Sequence, residues 1–137
     1  MPEQPTTGDP GGEDPERVVR SLLAAMKGGS DEAFAAATAH LAEHGEYFPN
    51  GWRRPRTGRS AVLAELCGTG AHYHDLDIEI VTSTTQGQRV VMERVDHFVM
   101  AGKPIDLHVV GIFEVADGLV TSWRDYYDRH EVDAKLR

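Results

Sequence analysis

A chain of 137 residues with 40% hydrophobic and 26% charged residues has the size and balance of one packed domain, with no room for a second. Its 14 Lys and Arg against 22 Asp and Glu give a formal net charge of −8, which makes nucleic acid a poor partner. No apolar run approaches the roughly 20 residues that span a bilayer, and neither a secretory signal nor an Arg-rich leader opens the chain, so no membrane role and a cytoplasmic location are expected. The single Cys67 agrees, because one thiol builds no intrachain disulfide framework.

Residues 1–13 are rich in Pro and Gly, with Met1 as their only large apolar residue, and are expected to form a disordered tail ahead of one domain over residues 14–137. Asp14-Pro15-Glu16 supplies an N-cap, a proline at the first helical position and an acid in the first turn. A helix to about Lys27 follows, with Val18, Val19, Leu22, Leu23 and Met26 in one stripe and Gly28-Gly29 as its stop. Ser30 or Asp31 caps a second, Ala-rich helix predicted through Leu41, with Phe34, Thr38 and Leu41 on one face. Glu46-Tyr47-Phe48 reads as a short strand, Asn50-Gly51 as a turn, and Arg59 to Cys67 as a third helix burying Val62, Leu63 and Leu66.

Beyond Cys67 the apolar period changes to two. Strands are predicted at Leu76 to Ser83, Arg89 to Met100, Ile105 to Val115 and Leu119 to Tyr127, separated by hairpin chemistry such as Ala101-Gly102 and Asp117-Gly118. Helices first and a meander afterwards describe an α+β domain with helices on one face of a curved, mostly antiparallel sheet. Alternation places Met92, Arg94, Asp96, Phe98 and Met100 on one face, and Trp123, Asp125 and Tyr127 together on the last strand. If these faces meet the helices, Arg94, Asp96 and Asp125 converge in an apolar pocket. One guanidinium can bridge both carboxyl groups, and charge balance then retains one proton on the pair, giving an acid beside a base. The same spacing is also consistent with an Arg-Asp-Asp network that merely fixes the sheet.

At these residues the chain resembles the limonene-1,2-epoxide hydrolase family, within the SnoaL-like and nuclear-transport-factor-2-like superfamily. The resemblance rests on Glu93-Arg94-Val95-Asp96, on Gly111-Ile112-Phe113-Glu114-Val115, and on Gly118-Leu119-Val120-Thr121-Ser122-Trp123-Arg124-Asp125-Tyr126-Tyr127-Asp128. It implies a cone-shaped mixed, mostly antiparallel sheet with three to four N-terminal helices on its concave face, and an Asp-Arg-Asp site that opens epoxides with water. Carried over by position, Asp96 resembles the general acid, Arg94 the bridging residue and Asp125 the base, with Tyr47 and Asn50 as holders of the water. The family spacing is Tyr-x-Asn, whereas this chain reads Tyr47-Phe48-Pro49-Asn50, so Asn50 needs a bulge to share a face with Tyr47.

Trp123, Leu107, Val109, Met92, Phe98 and Tyr127 are expected to wall a pocket for a small or medium apolar epoxide, as core and lining together. The expected activity is a cofactor-independent epoxide hydrolase. The alternatives are an epoxide-opening cyclase or an isomerase on the same pocket, and a non-catalytic module that only holds an apolar ligand. No phosphate loop or dinucleotide fingerprint occurs, so no cofactor is called for. His72, His74, Asp75 and Asp77 lack a third ligand at a recognised spacing, so no metal is expected. Cys67 reads as a small buried residue, and Arg53, Arg54, Arg56 and Arg59 as a solvated loop. A homodimer is expected on the outer sheet face, where Val91, Val95, Val99, Val110 and Ile112 would otherwise meet water; the family resemblance points the same way.

Overall fold

Asp14 opens the first helix, α1 (Pro15–Ala25), through its side chain, which accepts a hydrogen bond from the Glu16 backbone N–H. The computed structural model describes residues 14–137; the expected tail over residues 1–13 lies outside the described residues. Val18, Val19, Leu22, Leu23 and Met26 are all buried, so the apolar stripe is the packed face. The helix stops short of Lys27 because Gly28 adopts a positive φ of 91° and pairs with Leu76. A second helix, α2 (Asp31–Thr38), is capped by the Ser30 hydroxyl, which accepts from the Ala33 N–H.

Helix α2 ends three residues before Leu41, where the Ala-rich composition predicted continuation. Tertiary pairing decides the point: Leu41 is fully buried, opens strand β1 (Leu41–Phe48) and pairs with Val120. The strand is thus longer than the predicted Glu46-Tyr47-Phe48. A two-residue strand, β2 (Arg56–Thr57), leads into α3 (Arg59–Gly70), which runs one turn beyond Cys67. Four strands follow: β3 (His74–Gln86), β4 (Arg89–Met100), β5 (Lys103–Ala116) and β6 (Leu119–Tyr126). A last helix, α4 (Arg129–Leu136), is capped by the Asp128 carboxylate, which accepts from the His130 N–H. The fourth helix is therefore C-terminal, and only three precede the long strands.

The six strands form one open, curved, mixed sheet in the order β2-β1-β6-β5-β4-β3, antiparallel except where β1 runs parallel to β6. Ala101-Gly102 and Asp117-Gly118 take positive φ at both central turn residues, the conformation whose twist matches a two-residue hairpin. The fold is α+β, with α1 packed across the inner sheet face and α2 bridging α1 to α3. Register then does the positioning. Arg94 lies opposite Val109, Asp96 opposite Leu107 and Gly111 opposite Asp125, which gathers the three charged side chains on one face of neighbouring strands. Gly111 is what lets them meet. A Cβ there would sit 2.7 Å from Arg94 Nη1 and 2.8 Å from Phe113 Cε1, so the missing side chain makes the berth for the guanidinium.

Candidate functional site

Arg94 is 2% exposed and its guanidinium donates four hydrogen bonds, all to carboxylate oxygens. Nε and Nη2 reach Asp96 Oδ1 and Oδ2 at 2.9 and 3.3 Å. Nη1 and Nη2 reach Asp125 Oδ1 and Oδ2, both at 2.9 Å. Asp125 receives a further bond of 2.9 Å from Trp123 Nε1, the residue two positions earlier on the same face of β6. The donors are therefore unequal: Asp125 accepts three short bonds, Asp96 one short and one long.

That inequality matters because donors favour the ionised form of a carboxyl group and burial disfavours it. Burial holds the Asp96 carboxyl above the ordinary carboxylate range; Arg94 opposes this through charge and hydrogen bonding, and Asp125 adds to it. Burial also works against the charge on Arg94, but Asp125 and Asp96 outweigh it and keep the guanidinium protonated. One cation against two carboxyl groups is electrically balanced when one proton stays, and the long bond marks Asp96 Oδ2 as the oxygen with room to carry it. Breaking such a buried network by removing one partner typically costs about 3–5 kcal/mol.

This cluster forms the floor of a cavity of about 1230 Å³, above the roughly 300–1,000 Å³ of ordinary small-molecule sites. Leu107, Val109, Phe98, Trp123 and Tyr127 line it. Met92 does not. It is fully buried opposite Gly111, on the far side of the Arg94 guanidinium, and belongs to the core with Val90 and Phe113. Alternation fixed its face but not its depth along the strand.

Tyr47 lines the cavity with its ring centroid 4.3 Å from that of Trp123, its parallel neighbour on β6. Burial first, and then the Asp125 charge, raise its hydroxyl well above the usual tyrosine value, against a lowering by Arg94, so it stays a proton donor. Asn50 also lines the cavity, and its Oδ1 accepts from the Tyr127 N–H at 3.4 Å. It arrives without a bulge between Tyr47 and Asn50. Strand β1 ends at Phe48, the chain turns, and the Gly51 N–H donates to the Asp125 carbonyl at 2.7 Å.

Tyr73 also lines the cavity, a placement that its sequence surroundings do not signal. It packs on Phe98 at 4.8 Å between centroids, and burial and the Asp96 charge push its hydroxyl up to about 12. In the sequence it stands among His72, His74 and Asp75, whose side chains suggest metal ligation rather than an aromatic wall. Among the described residues no group of three or more His, Cys, Asp or Glu side chains is placed to hold a metal. Val132 and Leu136 of α4 complete the wall; their spacing of four was the only apolar signal for that helix.

The limonene-1,2-epoxide hydrolase catalytic domain matches residues 13–136. Epoxide hydrolase EphG of Mycobacterium tuberculosis is 29% identical over 117 residues, 84% of this chain and 74% of the relative. An LEH-like epoxide hydrolase structure from M. tuberculosis superposes with a TM-score of 0.72 at 26% identity, covering 90% of each chain. A putative SnoaL-like polyketide cyclase from Jannaschia sp. CCS1 superposes with a TM-score of 0.81 at 16% identity, covering 96% of this chain and 97% of its own, a likeness of fold.

The raised Asp96 value has a measurable consequence for stability. A carboxyl group whose folded-state pKa exceeds its unfolded value of about 3.9 binds more protons folded than unfolded, so stability falls as pH rises through that window. Asp96→Asn keeps the shape and has no proton to lose. The melting-temperature difference, variant minus wild type, should therefore grow from pH 4 upward and level off above the folded-state value of Asp96. Parallel curves across that range would show that Asp96 ionises in the fold as it does in the unfolded chain.

Proposed function

The chain belongs to the limonene-1,2-epoxide hydrolase family, and from that premise we propose that it adds water to an apolar epoxide, giving a vicinal diol in one step without a cofactor. The observation that carries the reading is the buried guanidinium joining two carboxyl groups with unequal donors at the floor of an apolar-walled cavity. Water attacks a ring carbon while Asp125 takes one of its protons. The ring C–O bond breaks toward oxygen, and that oxygen takes the proton from Asp96. Arg94 faces both carboxyl groups throughout and so stabilises the negative charge as it passes from Asp125 to Asp96; returning the proton from Asp125 to Asp96 resets the site. Tyr47 and Asn50 orient the water, supported by their place on the cavity wall beside Asp125. Ring strain favours opening, so positioning and proton transfer suffice. A cytoplasmic location, supported by the lone thiol of Cys67, is part of the same reading.

Diol formation is the test, with a panel of epoxides and no added metal or cofactor. Asp125→Asn and Asp96→Asn should each fold and lose about 10² to 10⁴ in kcat, the usual worth of a general base or acid. In wild type kcat should fall as pH rises through the raised Asp96 value, because the acid loses its proton there. Full activity in either variant refutes the assignment. A hydroxy-epoxide converted chiefly to a cyclic ether would select a cyclase, and absence of turnover with tight ligand binding would leave a carrier.

We propose further that the protein is a homodimer through the outer sheet face. Val81 and Val110 are 49% and 40% exposed there, next to half-buried Val91, Val95, Val99 and Ile112. Such a stripe across the middle of a sheet favours a partner over water. Sedimentation equilibrium at micromolar concentration should give twice the 15.1 kDa chain mass, and Val110→Glu should halve it. A wild-type monomer would refute the interface.

A further inference from the structure

Five of the chain's 14 Lys and Arg line the large cavity, all of them arginines: Arg94 at the floor and Arg53, Arg54, Arg56 and Arg129 toward its opening. The opening carries acids as well, so the balance has to be drawn pair by pair. Arg56 is matched by Glu65, 2.9 Å away, and Arg129 faces Asp133 at 4.0 Å. Arg53 and Arg54 have no side-chain partner among the described residues. Two uncompensated cations at the mouth of a cavity stand out on a chain whose net charge is −8.

The loop that carries them is fixed rather than merely solvated. At its start Asn50 accepts from Tyr127 and Gly51 donates to the Asp125 carbonyl. At its crest the Trp52 ring lies 3.9 Å under the Arg124 guanidinium, and at its end Arg56 is held by Glu65 on α3. Arg53 is also near enough to the Tyr127 hydroxyl, with Arg129, to offset part of the upward push that burial and Asp125 exert on it. Between this rim and the Arg94 floor run Leu66, Leu76, Phe98, Leu107 and Val109, a wall with affinity for hydrocarbon.

Resting on the hydrolase reading, we propose that Arg53 and Arg54 form an anion subsite and that the substrate is amphipathic: an epoxide on an apolar chain whose far end carries a carboxylate. The reacting ring meets Asp96 and Asp125, the chain lies along the apolar wall, and the guanidinium forks take the carboxylate at the mouth. The charge at the rim also raises the local concentration of anionic substrate against the repulsion of the acidic surface elsewhere.

Matched probes test this directly: 10,11-epoxyundecanoate against its methyl ester for turnover, and undecanoate against methyl undecanoate for calorimetric binding. Wild type should show a KM about tenfold lower for the acid than for the ester, with similar kcat, and the preference should shrink as salt is raised. In Arg53→Gln/Arg54→Gln the acid-to-ester ratio should fall to near one. Arg53→Lys/Arg54→Lys, which keeps the charge, should restore much of it. Equal KM values for acid and ester in wild type, or a preference that survives the double Gln variant, would overturn the subsite while leaving the hydrolase reading in place. Undecanoate bound by wild type and not by the double Gln variant, with no epoxide turned over, would support the subsite and refute the hydrolase reading.

Discussion

A guanidinium taken out of water needs its charge answered, and the rest of this site follows from how Arg94 is answered. Isolated burial of such a cation costs several kcal/mol, so it is held by two carboxyl groups and by nothing neutral. Two carboxyl groups overcompensate. Retaining one proton restores balance, and the donor sets are unequal, with three short bonds on Asp125 and one short with one long on Asp96, whose carboxyl burial pushes up. The arrangement that answers an electrostatic problem of folding is the one from which the proposed acid and base are drawn.

The sheet supplies the geometry this requires. Long antiparallel strands put Arg94, Asp96 and Asp125 on one face at neighbouring positions, and Gly111 opens the space between them that any side chain would fill. Trp123 acts twice, donating to Asp125 through Nε1 and supporting the Tyr47 ring from the adjacent strand. Below the guanidinium Met92, Val90 and Phe113 are core; above it the same sheet face becomes cavity wall. Arg94 marks the level at which packing stops and the cavity begins.

Period-two alternation made the charged cluster readable from sequence, because placing Arg94, Asp96 and Asp125 inward also placed Phe98, Val109 and Trp123 inward, and every one of them is buried or lines the cavity. What local pattern could not reach was set by partners distant in the chain. Leu41 reads as helical among alanines until Val120 is known to pair with it. Asn50 reaches the cavity through a turn held by β6, not through a bulge in its own strand. Met92 shares the periodicity of the lining residues and differs only in depth. The loop arginines look solvated in sequence because their neighbours on α3, β6 and α4 lie up to dozens of residues away.

The proposed acid role requires that Asp96 hold a proton above the ordinary carboxylate range. Carbon-13 NMR of protein labelled at the aspartate carboxyl carbons reads this without substrate. The account predicts one carboxyl signal that stays in the protonated position above the ordinary carboxylate range and disappears in Asp96→Asn. No protonated carboxyl signal in that range, or one that survives in Asp96→Asn, would contradict it.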